Sequence, residues 1–181
     1  TIADNTFHGL SYYGVLVANN TDVDVTGNSF SDIVNPDPSV SPTWGAGVRT
    51  YTPSASFGLD LDHNNFTDNA VGLGIRLGSD LPPGSVTITN NTFDGNTDHI
   101  INQGTPASDL TLGGDNIFDS VKLSDATDDQ LLALSDKMVD AVDNSSYGSV
   151  VLNAVDVYFT ADSFFAPGTT ILSLQRALDT E

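Results

Sequence analysis

The sequence predicts an all-β solenoid of about five stacked coils over residues 1–121, followed by a small α+β spacer over 122–181. Three observations carry this prediction. The first is a five-fold recurrence of Asn-x-Phe, at Asn5/Phe7, Asn28/Phe30, Asn64/Phe66, Asn91/Phe93 and Asn116/Phe118, with the phenylalanines 23, 36, 27 and 25 residues apart. The second is a short alternating run ahead of four of these units: Val23-Asp24-Val25, Leu59-Asp60-Leu61, Val86-Thr87-Ile88 and Leu110-Thr111-Leu112. Alternation with a period of two marks a strand with one buried face. The third is composition: Glu181 is the only Glu, and Asn, Thr, Ser and Gly supply most of the polar positions besides Asp. Such a chain is rich in turn formers and poor in helix formers.

Each unit also carries an apolar run after its Phe. In three units a Gly introduces it, as Gly14-Val15-Leu16-Val17, Gly47-Val48-Arg49-Thr50 and Gly74-Ile75-Arg76-Leu77, and Ile100-Ile101 holds the place in the fourth. A unit of about 25 residues with two or three short strands cannot bury its own apolar face, so it must stack on copies of itself. Strands of successive coils then lie roughly 4.8 Å apart and place like residues over like residues. Asn5, Asn28, Asn64, Asn91 and Asn116 are expected to form one ladder, at a bend where each amide is satisfied by the next. Phe7, Phe30, Phe66, Phe93 and Phe118 are expected to form another inside the coil.

The gap of 36 has a visible cause, because the stretch from Val34 to Trp44 holds three prolines and no alternation. Removing about ten residues restores the ordinary period, so 34–46 is expected to be a loop projecting from one coil. Trp44, the only Trp, lies near its end. It is placed either to fold back over the solenoid wall or to serve as a platform on which a carbohydrate stacks.

The repeat stops at Lys122. Thr127-Asp128-Asp129-Gln130 matches a capping box, and Leu131, Leu134, Met138 and Val142 follow at helical spacing, which predicts one amphipathic helix over about 127–143. A strand or hairpin is expected over about 149–160, from Val150-Val151-Leu152 and Val155-Asp156-Val157-Tyr158-Phe159. After Ala166-Pro167-Gly168, the segment 171–181 reads as the start of another helix.

Charge narrows the function classes. With 24 acidic against 5 basic residues the formal net charge is -19, which repels phosphate backbones and anionic lipid, so no nucleic-acid partner is expected. No apolar run approaches the roughly 18 residues needed to span a membrane, so no membrane insertion is expected. There is no Cys, hence no disulfide framework and no thiolate metal site.

The Asn-x-Phe coils resemble right-handed parallel β-helix proteins of the pectin-lyase-like class. The stretch from Leu123 to Asn144, with Val155 to Glu181, looks like the spacer of large secreted bacterial proteins built from tandem β-helix units. There a Ser-Ile-Gln-x-Ala-Ile-like helix precedes the next β-helix, and Ser173-Leu174-Gln175-Arg176-Ala177-Leu178 fits that pattern. The resemblance implies the end of one β-helix, a spacer and the threshold of the next. It also implies an extracellular or cell-surface setting and neighbouring β-helix units as partners, in tandem or head to tail.

Two clusters are candidates for chemistry. Arg49 and Arg76 each stand two residues beyond a Gly, so alternation puts both outward, one or two rungs apart on one face. Polysaccharide lyases on the fold it resembles use Arg or Lys to bind uronate carboxylates and take the α-proton. Asp60-Leu61-Asp62-His63 is the densest polar cluster. Asp60 and Asp62 with His63 offer an acid/base pair similar to the Asp-x-His cluster of alginate epimerases, or Asp24, Asp60 and Asp62 offer an oxygen-rich Ca²⁺ site. A solvated acidic face is the competing account of these residues. Together these readings predict a non-enzymatic structural or adhesive module that needs no cofactor, with Ca²⁺ and polysaccharide as candidate ligands. A polysaccharide lyase or uronate epimerase-like domain is the alternative, with Arg49, Arg76, Asp60 and His63 as its residues.

Overall fold

The computed structural model of the chain describes residues 1–18, 22–51, 57–152 and Tyr158. The chain winds in coils of three short strands. The first coil is β1 (Ile2–Ala3), β2 (Thr6–His8) and β3 (Tyr13–Ala18), and the second is β4 (Asp22–Thr26), β5 (Ser29–Ser31) and β6 (Ala46–Tyr51). The third is β7 (Gly58–Asp62), β8 (Asn65–Thr67) and β9 (Val71–Ile75), and the fourth is β10 (Val86–Thr89), β11 (Thr92–Asp94) and β12 (Asp98–Asn102). A reduced fifth coil has β13 (Leu110–Thr111) and β14 (Ile117–Phe118), closed by β15 (Val121–Lys122), which turns back antiparallel on β14.

Corresponding strands pair in parallel and build three walls: β1-β4-β7-β10, β2-β5-β8-β11-β14, and β3-β6-β9-β12. The expected register holds along the second wall, where Phe7, Phe30, Phe66, Phe93 and Phe118 succeed one another. Their rings stack nearly parallel with centroids 4.6–5.0 Å apart, and the last four are fully buried. Beside them, each ladder Asn passes its backbone and side-chain N–H groups to the side-chain oxygen of the next, from Asn5 through Asn28, Asn64 and Asn91 to Asn116. The turn before each of the first four asparagines is left-handed, at Asp4 (φ 56°), Gly27 (67°), His63 (54°) and Asn90 (55°). Only Gly and short polar residues adopt that conformation readily, which explains the Asp, Asn and Gly content.

Three corrections to the expected layout follow. The apolar run of the third coil begins at Val71, so Gly72, rather than Gly74, occupies the position of Gly14 and Gly47. These three are glycines because a Cβ would lie 2.5–2.7 Å from the rings of Phe30, Phe66 and Phe93. In the fifth coil β13 does not extend the first wall but pairs with the spacer.

The third correction concerns the spacer helix, which is shorter than expected. Helix α1 covers Asp128–Ser135, with the capping box of Thr127 and Gln130 in place, and Leu131 and Leu134 buried. Met138 and Val142, expected on its face, lie beyond it. The chain leaves the helix because β12 presents an open edge, which β16 (Met138–Val139) covers as a further rung of the third wall. Asp140 then stops any return to helix by accepting the Val142 N–H at 2.8 Å. Strand β17 (Val150–Val151) pairs with β13. Of the expected 149–160 hairpin only 149–152 and Tyr158 are described, and the rest of it and the 171–181 helix lie outside the described residues.

Candidate functional site

The outward face of the third wall holds the arginines. Arg49 on β6 follows Leu16 of β3 and precedes Gly74 of β9 in register, and the sheet then carries Tyr51 two residues further along β6. Arg76 is one coil beyond Arg49 but not directly over it, because Gly74 takes the place opposite Arg49. Because the third-coil strand starts earlier than expected, Arg76 falls just beyond β9, and its guanidinium carbon lies 4.3 Å from the centroid of the Tyr51 ring. Arg49 is outward in register yet only 6% exposed.

The loop explains that burial. Residues 34–45 fold back over the wall, and Arg49 Nε donates to Thr43 Oγ1 at 2.9 Å. The other side of Arg49 faces Tyr13, whose ring centroid is 5.9 Å away. Gly74 makes room for this seat, since a Cβ there would stand 3.0 Å from the Thr43 Cβ. Gly45, at φ 81°, donates its N–H to Tyr12 O, and Trp44 meets the Tyr12 ring edge-on at 5.0 Å. Trp44 is thus half-buried and folded back on the wall, and Tyr12 and Tyr51 are exposed.

Burial lowers the pKa of Arg49, with Tyr13 opposing and Arg76 adding to the effect, and no carboxylate enters. Among the described residues neither Arg49 nor Arg76 forms an ion pair, whereas Lys122 and Lys137 are both paired with Asp. The net charge is -19, yet among the described residues the two arginines have no acidic partner.

The acidic candidates occupy the first wall. Asp24 and Asp60 are in register on β4 and β7, with Thr87 next, and Asp62 lies between Thr26 and Thr89. Asp24 accepts from Thr1 Oγ1 at 3.0 Å. Asp62 accepts from Asn90 Nδ2 at 2.8 Å, His63 Nδ1 at 2.7 Å and Thr89 Oγ1 at 3.1 Å, and these bonds, that of Asn90 foremost, hold its carboxyl below the ordinary range. Partial burial raises Asp60, with Asp62 and then Asp24 adding to it. His63 is a turn residue with a largely exposed ring. Asp60 and His63 are on one wall and Arg49 and Arg76 on another, so the four do not converge. Among the described residues no group of three or more His or carboxylate side chains is gathered to hold a metal ion.

Sequence reasoning missed Thr43, Tyr13 and Tyr51 as the partners of the arginines. The alternation Arg49-Thr50-Tyr51 carries a signal for Tyr51, but nothing local ties Thr43 to Arg49. It also missed a second run of buried amides, in which Ile33 N–H and Asn69 N–H donate to Asn69 Oδ1 and Asn96 Oδ1.

The sequence model of a family described as right handed beta helix region matches residues 1–117. The chain belongs to that right-handed β-helix family. The match ends within the fifth coil, at Ile117, the first residue of β14. No curated protein and no solved structure matches the chain.

Proposed function

We propose that this β-helix is a non-enzymatic structural and adhesive module whose third wall recognises a carboxylated carbohydrate. One observation carries the reading: among the described residues Arg76 has no carboxylate partner and stands half-buried on the outward side of the third wall against the exposed ring of Tyr51, while Arg49 lies buried beside it under the loop that carries Trp44. A guanidinium accepts a uronate carboxylate through paired hydrogen bonds, and aromatic rings offer apolar faces to a sugar ring. The charge of -19 favours a short ligand with few carboxylates over a long polyanion. The lyase or epimerase alternative needs an acid or base within reach of the arginines, and the distribution of Asp60 and His63 over another wall counts against it.

The reading places the module outside the cell, joined to neighbouring β-helix units in tandem or head to tail, through the resemblance of its spacer. Ca²⁺ enters as an ion bridging carboxylates of the first wall, not as a required cofactor. Among the described residues no helix is long and apolar enough to cross a membrane.

The test is calorimetric binding of a uronate oligosaccharide and of its methyl ester. Binding of the acid alone, weakened about tenfold or more by Arg76→Met, is the expected result. Equal binding of acid and ester removes carboxylate recognition. Release of an unsaturated or epimerised product transfers the protein to the enzymatic alternative.

A further inference from the structure

The second and third walls are covered at one end and open at the other. At the spacer end β15 turns onto β14 and β16 lies on β12. At the opposite end, among the described residues, β1, β2 and β3 each pair with one strand only, β4, β5 and β6 in turn. A strand in that position leaves a row of its backbone groups without a sheet partner.

The contacts between the coils behind it define what this open face lacks, because the same bonds recur at every coil. Ser29, Asn65, Thr92 and Ile117 each donate their N–H to the backbone oxygen of the ladder Asn one coil back, at 2.8–2.9 Å. Thr6 is in register with Ser29 and holds that position in the first coil. Asn28, Asn64, Asn91 and Asn116 each accept, through Oδ1, the backbone and side-chain N–H groups of the Asn one coil back. Asn5 Oδ1 is the next acceptor of that kind, and among the described residues nothing donates to it. The backbone oxygens of Ser31, Thr67 and Asp94 accept the N–H groups of Gly9, Asp32 and Asp68 at 3.0–3.3 Å, and His8 O holds their place in the first coil. The apolar interior is open at the same face. Phe7 is half-buried where the four rings after it are fully buried, and Leu10 is 38% exposed where its counterpart Ile33 is fully buried.

We propose that the outer face of the first coil is a seat for one further β-helix coil laid in parallel, whose Asn donates to Asn5 Oδ1 and whose aromatic ring stacks on Phe7. This rests on the reading of the module as one of a row of β-helix units, and it names the face that joins the row and what the neighbour presents to it. The argument for a coil is continuity, since the seat repeats the interface that each coil already makes with the next. An amphipathic helix laid over the end would cover Phe7 and Leu10, but its backbone groups are spent within itself, leaving Thr6 N–H, His8 O and Asn5 Oδ1 without sheet partners. A second copy of the chain meeting this face edge to edge runs its strands antiparallel. Its Asn5 Nδ2 is also committed already, to Ala3 O at 2.7 Å and Asn28 Oδ1 at 3.2 Å. A coil in parallel register answers each of these groups.

The test extends the full chain ahead of Thr1 by a copy of its own residues 60–86. Thr1 is the counterpart of Thr87, so the copy ends where the first coil begins. Hydrogen exchange read by nuclear magnetic resonance compares the Thr6 and Ser29 amides. In the chain without the extension, Thr6 is expected to exchange at least tenfold faster than Ser29, and the added coil is expected to slow Thr6 about tenfold or more. The same extension with its ladder Asn and Phe both changed to Ala is expected to lose most of that gain, while the Asn65 amide holds in all three proteins. Equal protection of Thr6 by the two extensions overturns the seat while leaving the units joined in a row. No gain from either extension overturns the row as well. Protection of Thr6 in the unextended chain that rises with protein concentration assigns the face to a second copy and overturns the proposal.

Discussion

Asn64 donates through Nδ2 to Asn91 Oδ1 at 3.0 Å, and its backbone N–H reaches the same oxygen at 2.9 Å. One acceptor thus satisfies two donors of the coil before it. Asn64 Nδ2 also reaches Val25 O at 2.7 Å, and Asn64 Oδ1 receives the two donors of Asn28. An amide at this bend closes hydrogen bonds on three successive coils while being only 1% exposed.

Asn64→Leu is therefore expected to cost about 3 kcal/mol or more, since it strands buried donors and acceptors of the neighbouring coils as well as removing its own bonds. The exposed Asn65 next to it supplies the comparison: Asn65→Ala is expected to stay within about 0.5 kcal/mol. Denaturant unfolding of the two variants checks the contrast, and similar losses would mean that the ladder carries no special share of stability.

The ladder was legible in the sequence because a solenoid repeats its solution at every coil, so Asn28, Asn64 and Asn91 announce one environment three times. The insertion could be placed for the same reason, as the one interruption of the period. What it does was not legible: Thr43 meets Arg49 through tertiary folding of the loop, and no periodic signal encodes that contact. The offset of Arg76 was hidden by a duplicated cue, since Val71-Gly72-Leu73-Gly74 offers two glycines and only packing against Phe93 decides between them. Helix α1 ended early because an open strand edge outweighed a helical pattern of apolar residues.

That choice of glycine is itself testable. Gly72→Ala would bring a Cβ to 2.5 Å from His99 O and 2.6 Å from the Phe93 ring, neither of which can yield without breaking the stack. A loss of about 1–3 kcal/mol is expected. Thermal unfolding measures it, and a neutral substitution would mean that the coil spacing is looser than the ring stack implies.

On the first wall, Asp60 is raised by partial burial and by the charges of Asp62 and Asp24. A raised carboxyl favours the folded chain only while it holds its proton, so at neutral pH this site opposes folding. Asp60→Asn is expected to raise the melting temperature at pH 7, with the gain shrinking toward pH 3 and in high salt. In the unsubstituted chain, Ca²⁺ at millimolar order is expected to stabilise more than Na⁺ at matched ionic strength, by bridging Asp24 and Asp60. Superimposable melting curves in the two salts would leave screening as the whole effect.

The insertion offers a local optical readout, because Trp44 is the only Trp in the chain and sits on the segment that Arg49 holds down. Arg49→Met keeps the length of the side chain over Tyr13 but removes the donor to Thr43 Oγ1. The stability change has two opposed parts: a lost hydrogen bond of about 1 kcal/mol, and relief from keeping a charge in a buried place. The global melting temperature is therefore a poor reporter, and the emission of Trp44 a good one. With Thr43 released, the Trp44 ring is expected to leave the edge of Tyr12 and its emission to move to longer wavelength, while the far-UV spectrum keeps its β character. Arg76→Met, which removes a cation stacked on Tyr51 and makes no bond to the insertion, is expected to leave that emission in place. Unchanged emission in Arg49→Met would mean that Gly45 N–H on Tyr12 O and the ring contact hold the loop without the arginine, and Arg49 would then be free to meet a ligand rather than serve the wall.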